Sequence, residues 1–342
     1  MRAVAMRAHG GPEVVEILEV PEPTAGPGHA LVRVKAAALN HLDVWVRQGW
    51  PGLSLHFPHV FGSDVAGVVA AIGSGVEGWK VGDEVVVNPA LGCGRCERCL
   101  GGAENLCRHF AILGEHVPGG QAEWLVVPAR NLCAKPGRLT FEEAAAVPLT
   151  FMTAWHALVV RAALRPGETI LIHAAGSGVG VAAVQIARLL GARVIATAGS
   201  PAKLEKARAL GADEGIDYER QDFLAEVKRL TGRRGVDVVF EHVGKKTWEK
   251  SLLAAGIGGR IVTVGATTGH DPLTDLRHVF FRQLSVLGST MGTAADLLQV
   301  LTFVERGTLR PVIDRVLPLA DARAAQGLLA DRAQFGKIVL TP

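Results

Sequence analysis

The sequence predicts an α/β protein of two domains, one rich in short strands and one built on a doubly wound parallel sheet. Three observations lead to this prediction. The chain has 342 residues, which is more than one ordinary hydrophobic core accommodates. Short β-prone runs broken by glycine and proline fill the chain up to about residue 150. From Glu168 onward, strand-like and helix-like segments alternate.

The first domain is predicted from strands that alternate with turns. Many short strands separated by turn residues favour a compact, barrel-like β domain. The predicted strands are Ala30–Lys35, Ala66–Ile72, Asp83–Val87 and Ala122–Val127. At the other end of the chain, a helix over Ala294–Arg306 leads into a strand-rich tail that ends at Lys337–Leu340. We therefore expect residues 1–150 and 292–342 to form one domain together.

The second domain is predicted over residues 151–291. Its strands are Thr169–His173, Arg193–Thr197, Val236–Phe240, Arg260–Val264 and Leu284–Leu287. Its helices are Val179–Leu190, Pro201–Leu210, Phe223–Leu230 and Thr247–Ala255. Short apolar strands that alternate with amphipathic helices indicate a parallel sheet covered on both faces.

The charge and the hydrophobicity of the chain limit the classes of molecule that the protein is expected to bind. The formal net charge is +3, and no run of lysine and arginine is dense enough to predict nucleic-acid binding. The N-terminus lacks the apolar core and cleavage site of a secretion signal, and no apolar run is long enough to cross a bilayer. We expect a cytoplasmic protein that acts on a small molecule, in a compartment that keeps thiols reduced.

Four cysteines in one short loop predict a structural zinc site. Cys93, Cys96, Cys99 and Cys107 have the spacing of a knuckle whose thiolates converge on one ion, in a lobe over about residues 90–110. Four thiolates leave no open coordination position, so this zinc would hold a lobe together without touching substrate. Reduced structural cysteines or disulfides are the alternatives. The fifth cysteine, Cys133, is interpreted as a small buried apolar residue.

A glycine-rich turn after the first strand of the second domain predicts a dinucleotide site. The turn opens a helix, so its backbone N–H groups and the helix dipole face a pyrophosphate. The match to the dinucleotide fingerprint is imperfect, because Ala175 and Ser177 fill the first two glycine places and Gly180 the third. The predicted contacts here are Gly176, Ser177, Gly178, Val179 and Gly180.

The second strand of this domain favours NADP(H) over NAD(H). An NAD site normally ends that strand with an acidic residue that bonds the ribose 2′-hydroxyl. The stretch Ile195–Lys203 has no acid, and Ser200 with Lys203 would better accept a 2′-phosphate. Alternatively, Lys203 is an ordinary solvated helix residue.

With the zinc loop, the β-rich front and the doubly wound second domain, the chain resembles the medium-chain dehydrogenase/reductase superfamily. That superfamily includes zinc alcohol dehydrogenases and zinc-independent quinone reductases, and the four-cysteine loop is specific to the alcohol dehydrogenase side. The resemblance implies a GroES-like catalytic domain made from both ends of the chain, a Rossmann domain between them, and substrate in the cleft. It also implies a homodimer or homotetramer paired through Leu284–Thr290.

The sequence differs from the zinc alcohol dehydrogenases at the positions of the catalytic zinc ligands. The three positions that hold its ligands in alcohol dehydrogenases carry Asn40, Ser63 and Leu149, and Asp64 replaces the glutamate after the second ligand. An amide, a hydroxyl and an alkyl group do not replace thiolate, imidazole or carboxylate ligands. The same substitutions are similar to the zinc-independent quinone reductases. We therefore expect a structural zinc and no catalytic zinc.

The resemblance also implies a set of cofactor contacts. It places His41 on the pyrophosphate, Thr153 against the nicotinamide, and Tyr218 near the adenosine phosphate. Lys337 would reach a phosphate from the tail. The remaining implied contacts are Thr150, Val243, Gly244, Val264, Gly265 and Ala266. Alternatively, His41 caps a turn and Lys337 is a solvated strand end. Asp43 matches an acid that orients the missing histidine ligand, or it only anchors a loop.

Three functions stay open. The first is an NADPH-dependent reductase of quinones, enones or aldehydes, with Asn40 and Ser63 as hydrogen-bond donors to the acceptor oxygen; either residue could instead bond its own backbone. The second is an alcohol dehydrogenase whose zinc is recruited by unexpected ligands, namely His41, Asp43, Asp64 or His59. The third is a nucleotide-binding redox sensor with little turnover.

Overall fold

The computed structural model describes residues 1–342, and these divide into two compact units. Unit 1 consists of Met1–Leu149 and Thr293–Pro342, and unit 2 consists of Thr150–Gly292. No helix combines the length and the apolar character that crossing a membrane requires.

The regular elements are numbered in chain order. The strands are β1 (Arg2–Met6), β2 (Glu16–Glu19), β3 (His29–Ala38), β4 (His59–Val60), β5 (Asp64–Ile72), β6 (Glu84–Val87), β7 (Ala90–Leu91), β8 (Ala111–Ile112), β9 (Trp124–Pro128), β10 (Leu132–Ala134), β11 (Thr169–Ile172), β12 (Arg193–Ala198), β13 (Glu214–Asp217), β14 (Val236–Glu241), β15 (Ala255–Thr263), β16 (Ser285–Gly288), β17 (Ile313–Pro318) and β18 (Lys337–Thr341). The helices are α1 (His41–Gln48), α2 (Glu97–Leu100), α3 (Phe141–Ala145), α4 (Pro148–Trp155), α5 (Gly178–Leu189), α6 (Pro201–Ala209), α7 (Phe223–Leu230), α8 (Trp248–Ala254), α9 (Leu276–Phe281), α10 (Ala294–Glu305) and α11 (Ala322–Ala330).

Unit 1 is organised around a seven-stranded sheet of order β10-β6-β5-β3-β18-β17, with β9 also paired to β3. Along β3, Val32 and Val34 point into the core while Arg33 is exposed, the alternation expected of a half-buried strand. The C-terminal tail completes this sheet, because β18 pairs antiparallel with β3. The description of that tail as strand-rich is wrong in one respect. It contains α11, whose Ala325 and Leu329 pack in the same core as Val44 and Val46 of α1.

Unit 2 contains a six-stranded, wholly parallel sheet of order β13-β12-β11-β14-β15-β16. Numbered within the unit this is 3-2-1-4-5-6, the order of a Rossmann fold. Leu171 and Val239 pack with the side chains of α7 and α8. Their strand neighbours Ile170 and Phe240, on the opposite face, are also fully buried. The predicted α/β fold class is confirmed, and α5 to α8 begin and end within one residue of their predicted bounds.

Candidate active site

The four loop cysteines converge in unit 1. Their Sγ atoms all lie within 4.8 Å of one another. The Sγ atoms of Cys93 and Cys99 are 3.9 Å apart, those of Cys96 and Cys99 3.6 Å, and those of Cys96 and Cys107 3.7 Å. Thiolates bound tetrahedrally at about 2.3 Å from zinc lie about 3.8 Å apart. The donor set and its spacing therefore fit one zinc ion.

A second polar cluster forms where three adjacent strands of unit 1 meet. Ala38, at the end of β3, pairs with Asp64 at the start of β5 and with Val339 of β18. This pairing brings Asn40, Asp64 and Lys337 together although they are far apart in sequence. All three side chains are buried, with exposed fractions of 5%, 0% and 4%. Asn40 Nδ2 donates to Asp64 Oδ2 at 3.0 Å, and Lys337 Nζ donates to Asp64 Oδ2 at 2.9 Å and to Asn40 Oδ1 at 2.6 Å.

The contacts of this cluster show what Asn40, Lys337 and the backbone of Leu149 bond. Asn40 precedes α1 as its N-cap residue in a capping box with Asp43, and its side chain also bonds Asp64 and Lys337, which are distant in sequence. The interpretation of Lys337 as a solvated strand end is wrong, because its ammonium group is buried between two polar partners. Ser63 is 1% exposed. The backbone N–H of Leu149 donates to Asp64 Oδ1 at 2.7 Å, so this segment presents an amide to the cluster.

The Asp43 carboxylate bonds the backbone next to this cluster. Its carboxylate accepts from the backbone N–H of Asn40 at 2.8 Å and from that of Gly62 at 3.2 Å. Burial raises the pKa of Asp43 to about 6, although the hydrogen bond from Asn40 and the positive charge of Lys337 oppose this rise. The side chain therefore anchors the loops before α1 and before β5, as the loop-anchor interpretation predicts.

The glycine-rich turn of unit 2 has the local structure that a dinucleotide requires. It connects β11 to α5, whose N-cap is Ser177; the Ser177 hydroxyl accepts from Gly180 N at 3.0 Å. The first-turn N–H groups of Gly178 and Val179 have no partner within the helix. A Cβ at Gly180 would lie 2.6 Å from the carbonyl oxygen of Ala174, so only glycine fits this close approach of helix and strand.

A second turn lies after the neighbouring strand β14. Gly244 has a φ of +87°, and a Cβ there would lie 2.9 Å from the Cα of Ala266. The backbone N–H of Thr268 donates to the carbonyl oxygen of Val243 at 2.7 Å. Val243, Gly244 and Ala266 are thus held together at the carboxyl ends of β14 and β15, where ligands bind in open parallel sheets.

Glu241, the last residue of β14, organises this second turn and was not predicted from the sequence as a site residue. Its carboxylate is 0% exposed and accepts from the backbone N–H of Val243 at 2.7 Å and of Gly244 at 3.0 Å. It also accepts from the hydroxyls of Thr247 and Ser251 at 2.9 and 2.7 Å. A charged residue directly after the apolar run Val238–Phe240 was the available signal.

His173 connects the two turns. Its Nε2 lies 2.9 Å from the Ser251 hydroxyl, which donates to Glu241. Burial lowers the pKa of His173 despite the nearby carboxylate. Burial would raise the pKa of Glu241, but the charge of His173 and the hydrogen bonds from Ser251, Gly244 and Thr247 lower it overall. Because a buried imidazole of lowered pKa is neutral near pH 7, we attribute the ionised state of Glu241 mainly to its hydrogen bonds.

The remaining predicted contacts lie at several places. Ser200 is the N-cap of α6, and its hydroxyl accepts from Lys203 N at 3.3 Å. Tyr218 packs beside Gly199, where an added Cβ would lie 2.8 Å from the tyrosine hydroxyl oxygen. Thr150 and Thr153 are buried in α4. Val264 and Gly265 follow β15 directly.

His41 and His59, two of the suggested alternative zinc ligands, lie in unit 1 without forming a metal site. His41 is the first residue of α1, directly after the N-cap residue Asn40, and its ring lies 5.2 Å from that of Trp45. His59 Nε2 lies 3.1 Å from the carbonyl oxygen of Gly114. The only group of three or more cysteine, histidine or acidic side chains with metal-binding spacing is the four-cysteine cluster.

Comparison with known proteins agrees with this architecture. A profile described as "Alcohol dehydrogenase GroES-like domain" matches residues 26–137, and one described as "Zinc-binding dehydrogenase" matches residues 178–306. A protein named NAD-dependent alcohol dehydrogenase from Saccharolobus solfataricus is 35% identical, with 100% of both chains covered. A protein named quinone oxidoreductase from Pseudomonas aeruginosa is 36% identical, covering 100% of this chain and 99% of that protein. A crystal structure described as an NAD-dependent alcohol dehydrogenase is 55% identical, with 100% of both chains covered and a TM-score of 0.97.

The fold and the sites thus define a dehydrogenase built from a GroES-like domain and a Rossmann domain. The chain belongs to the medium-chain dehydrogenase/reductase superfamily, as a member of its zinc-type alcohol dehydrogenase family. It is an oxidoreductase, as predicted.

Proposed function

We propose that this oxidoreductase reduces quinones, enones or aldehydes with NADPH and without a catalytic zinc. The observation that carries the proposal is the contact set of Asn40. At a position where the resemblance implies a zinc ligand, the chain has an amide whose oxygen accepts from Lys337 and whose nitrogen donates to Asp64. An amide in those contacts offers no thiolate, imidazole or free carboxylate to zinc.

The other two ligand positions support the same conclusion. Ser63 offers a hydroxyl, and Leu149 has no donor in its side chain. Both oxygens of Asp64 already accept hydrogen bonds, from Lys337 and Asn40 on one and from the N–H of Leu149 on the other. A zinc ion would have to displace an ammonium group and two N–H donors to use this carboxylate.

We infer the class of acceptor from the hydrogen-bond donors that the chain has in place of a metal ion. Bound NADPH supplies a hydride. Without a Lewis acid to stabilise an alkoxide, oxidation of a simple alcohol would be slow. A quinone or enone spreads the arriving charge over a conjugated system, so a hydrogen bond from the Asn40 amide, with Ser63 as a second donor, suffices to stabilise it. The proton comes from solvent or a hydroxyl group.

The nucleotide would be held by unit 2. The N–H groups at the start of α5 would bind the pyrophosphate, and Val243, Gly244, Val264, Gly265 and Ala266 would line the strand ends. The segment after β12 carries Ser200 and Lys203 and no acid, which favours the 2′-phosphate of NADP(H). His41, Thr150, Thr153 and Tyr218 stay proposed contacts on the resemblance.

A second candidate is a zinc-dependent alcohol dehydrogenase. The names of two similar proteins, at 35% and 55% identity, favour it and also favour NAD(H). Such an enzyme would interconvert alcohols with aldehydes or ketones through a second zinc ion.

Steady-state assays separate the candidates. Purified protein is tested for oxidation of NADPH and NADH with quinones, enones and aldehydes, and for reduction of NADP⁺ and NAD⁺ with primary and secondary alcohols. We expect acceptor-dependent NADPH oxidation and little alcohol oxidation. Lys203→Ala should raise the KM for NADPH and leave that for NADH unchanged, with exposed Lys206→Ala as control. Efficient alcohol oxidation would overturn the proposal, and tight NADPH binding without any turnover would indicate a sensor.

A further inference from the structure

Lys337 is the group in the polar cluster of unit 1 that the proposed reaction leaves unexplained. Its backbone N–H donates to the carbonyl oxygen of Val312 at 2.9 Å, which fixes the first residue of β18. From there the side chain is buried, and its ammonium group donates to Asn40 Oδ1 and Asp64 Oδ2. A buried lysine is costly unless its charge is paired, so this placement needs a physical reason.

The two partners of Lys337 fix the orientation of the Asn40 amide. The carbonyl oxygen of Asn40 faces the ammonium group, and its NH₂ group faces the carboxylate of Asp64. An amide rotated by half a turn would place NH₂ against NH₃⁺ and a carbonyl against a carboxylate, both of which repel. The hydrogen-bond network therefore permits one orientation. In that orientation, one N–H of Nδ2 bonds Asp64 and the other is directed away from it.

The ammonium group also changes the strength of that second donor. A positive charge bonded to the carbonyl oxygen of an amide draws electron density from its nitrogen, and hydrogen bonds in a chain strengthen one another in a medium of low dielectric constant. The remaining N–H of Asn40 thus becomes a better donor to an oxygen that gains negative charge during reduction.

We propose that Lys337 is a positioning residue that orients and polarises the Asn40 amide, so that Asn40 donates a hydrogen bond to the oxygen of the carbonyl or quinone acceptor. This inference rests on the proposed function, since it needs Asn40 to contact the acceptor. It replaces the expectation that Lys337 contacts a cofactor phosphate. A phosphate contact would require the ammonium group to leave both Asn40 and Asp64.

Kinetics of Lys337→Met test this role. We expect kcat for the best acceptor of the panel to fall at least tenfold, while the Kd of NADPH, measured by fluorescence, changes less than twofold. Lys337→Arg should restore part of kcat because it keeps a buried cation. In an Asn40→Ala background, Lys337→Met should lower kcat less than twofold further, because the two residues act as a unit. A weakened NADPH Kd with unchanged kcat, or equal effects in both backgrounds, would overturn the inference.

A spectroscopic measurement tests the positioning without relying on turnover. The chain has four asparagines, Asn40, Asn88, Asn105 and Asn131, so selective ¹⁵N-asparagine labelling gives four side-chain NH₂ signals, and Asn40→Ala assigns one. We expect the Asn40 signal to exchange slowly with solvent in the wild type and to shift and exchange at least tenfold faster in Lys337→Met. Asn131, whose Nδ2 donates to the carbonyls of Asn88 and Ala90, is the internal control.

The two readouts separate the inference from the proposed function. If the wild type reduces no acceptor and the Asn40 signal still depends on Lys337, the proposed function fails while the orienting contact stands. If the wild type is active and the Asn40 signal is the same in Lys337→Met, the inference fails alone. If Lys337→Met does not fold, the same measurements are made on Lys337→Gln, which keeps a hydrogen-bond donor and loses the charge. The expected loss of kcat is then smaller.

Discussion

Truncation of the buried carboxylate of Glu241 should destabilise unit 2. In Glu241→Ala the backbone N–H groups of Val243, which is partly buried, and of Gly244, which is buried, lose the carboxylate that accepts from them. The two hydroxyls that also bond Glu241 have other partners at hand. Thr247 lies 3.2 Å from the carbonyl oxygen of Gly244, and Ser251 lies 2.9 Å from Nε2 of His173.

The expected loss of stability in Glu241→Ala is worked out from these two N–H groups. A buried donor left without an acceptor costs about 1–3 kcal/mol, so the loss is about 2–6 kcal/mol. Removal of the carboxylate also removes the cost of desolvating its charge, which moves the expectation toward the lower half of that range. A loss of about 2–4 kcal/mol at a urea m-value of about 3 kcal/mol/M should lower the urea midpoint by about 0.7–1.3 M.

Urea unfolding followed by tryptophan fluorescence measures this change, since Trp248 of α8 is buried in the same core. Glu249→Ala is the matched control, because Glu249 is an exposed carboxylate on the same helix and its removal should change stability by about 0.5 kcal/mol or less. NADPH binding should also weaken in Glu241→Ala, since Val243 and Gly244 are proposed cofactor contacts. Equal urea midpoints for Glu241→Ala and Glu249→Ala would show that the Glu241 carboxylate does not stabilise unit 2.

Three further predictions concern unit 1, the sheet edge and the zinc lobe. The pKa of Asp43 rises from 3.8 to about 6 on burial, so the folded chain holds this proton more tightly than the unfolded chain and its stability falls as pH rises through that range. At about 1.4 kcal/mol per pH unit, the free energy of unfolding of Asp43→Asn, measured relative to the wild type in urea titrations, should rise by about 2–3 kcal/mol between pH 4 and pH 7. A difference that does not change with pH would contradict this. We expect the edge strand β16 to pair two copies of the chain, since the apolar residues Val286 and Phe281 are 44% and 74% exposed. Light scattering should give the mass of a monomer for Val286→Lys, whereas the control Leu106→Lys should keep the mass of the wild type. Cys107→Ser should lose zinc and melt at lower temperature, while Cys133→Ser keeps its zinc, and equal zinc in both variants would count against the cluster.

Features encoded by neighbouring residues were predictable from the sequence. The four zinc-lobe cysteines lie within one short loop, so their spacing alone predicts a shared ion. The strands and helices of unit 2 have periodic apolar patterns, and their bounds are predicted within about one residue at α5 to α8. In contrast, α11 was missed, because its apolar residues are interpretable only with the core formed by α1.

Features that depend on contacts between distant segments were not predictable. Lys337 and Asn40 are 297 residues apart in sequence, and only the pairing of β18 with β3 brings them within hydrogen-bond distance. From the sequence, Lys337 was equally compatible with a phosphate contact and with a solvated strand end. Glu241 was missed for a similar reason, since its donors include a residue of a helix that folds back onto β14.

The zinc content of the active enzyme tests whether reduction proceeds without a catalytic zinc. Protein that shows acceptor-dependent NADPH oxidation is freed of loosely bound metal by gel filtration and analysed by mass spectrometry for zinc per chain. We expect one zinc per chain, held by Cys93, Cys96, Cys99 and Cys107, and the same activity per chain when extra zinc is supplied. Two zinc ions per chain, with activity that follows occupancy of the second, would contradict it.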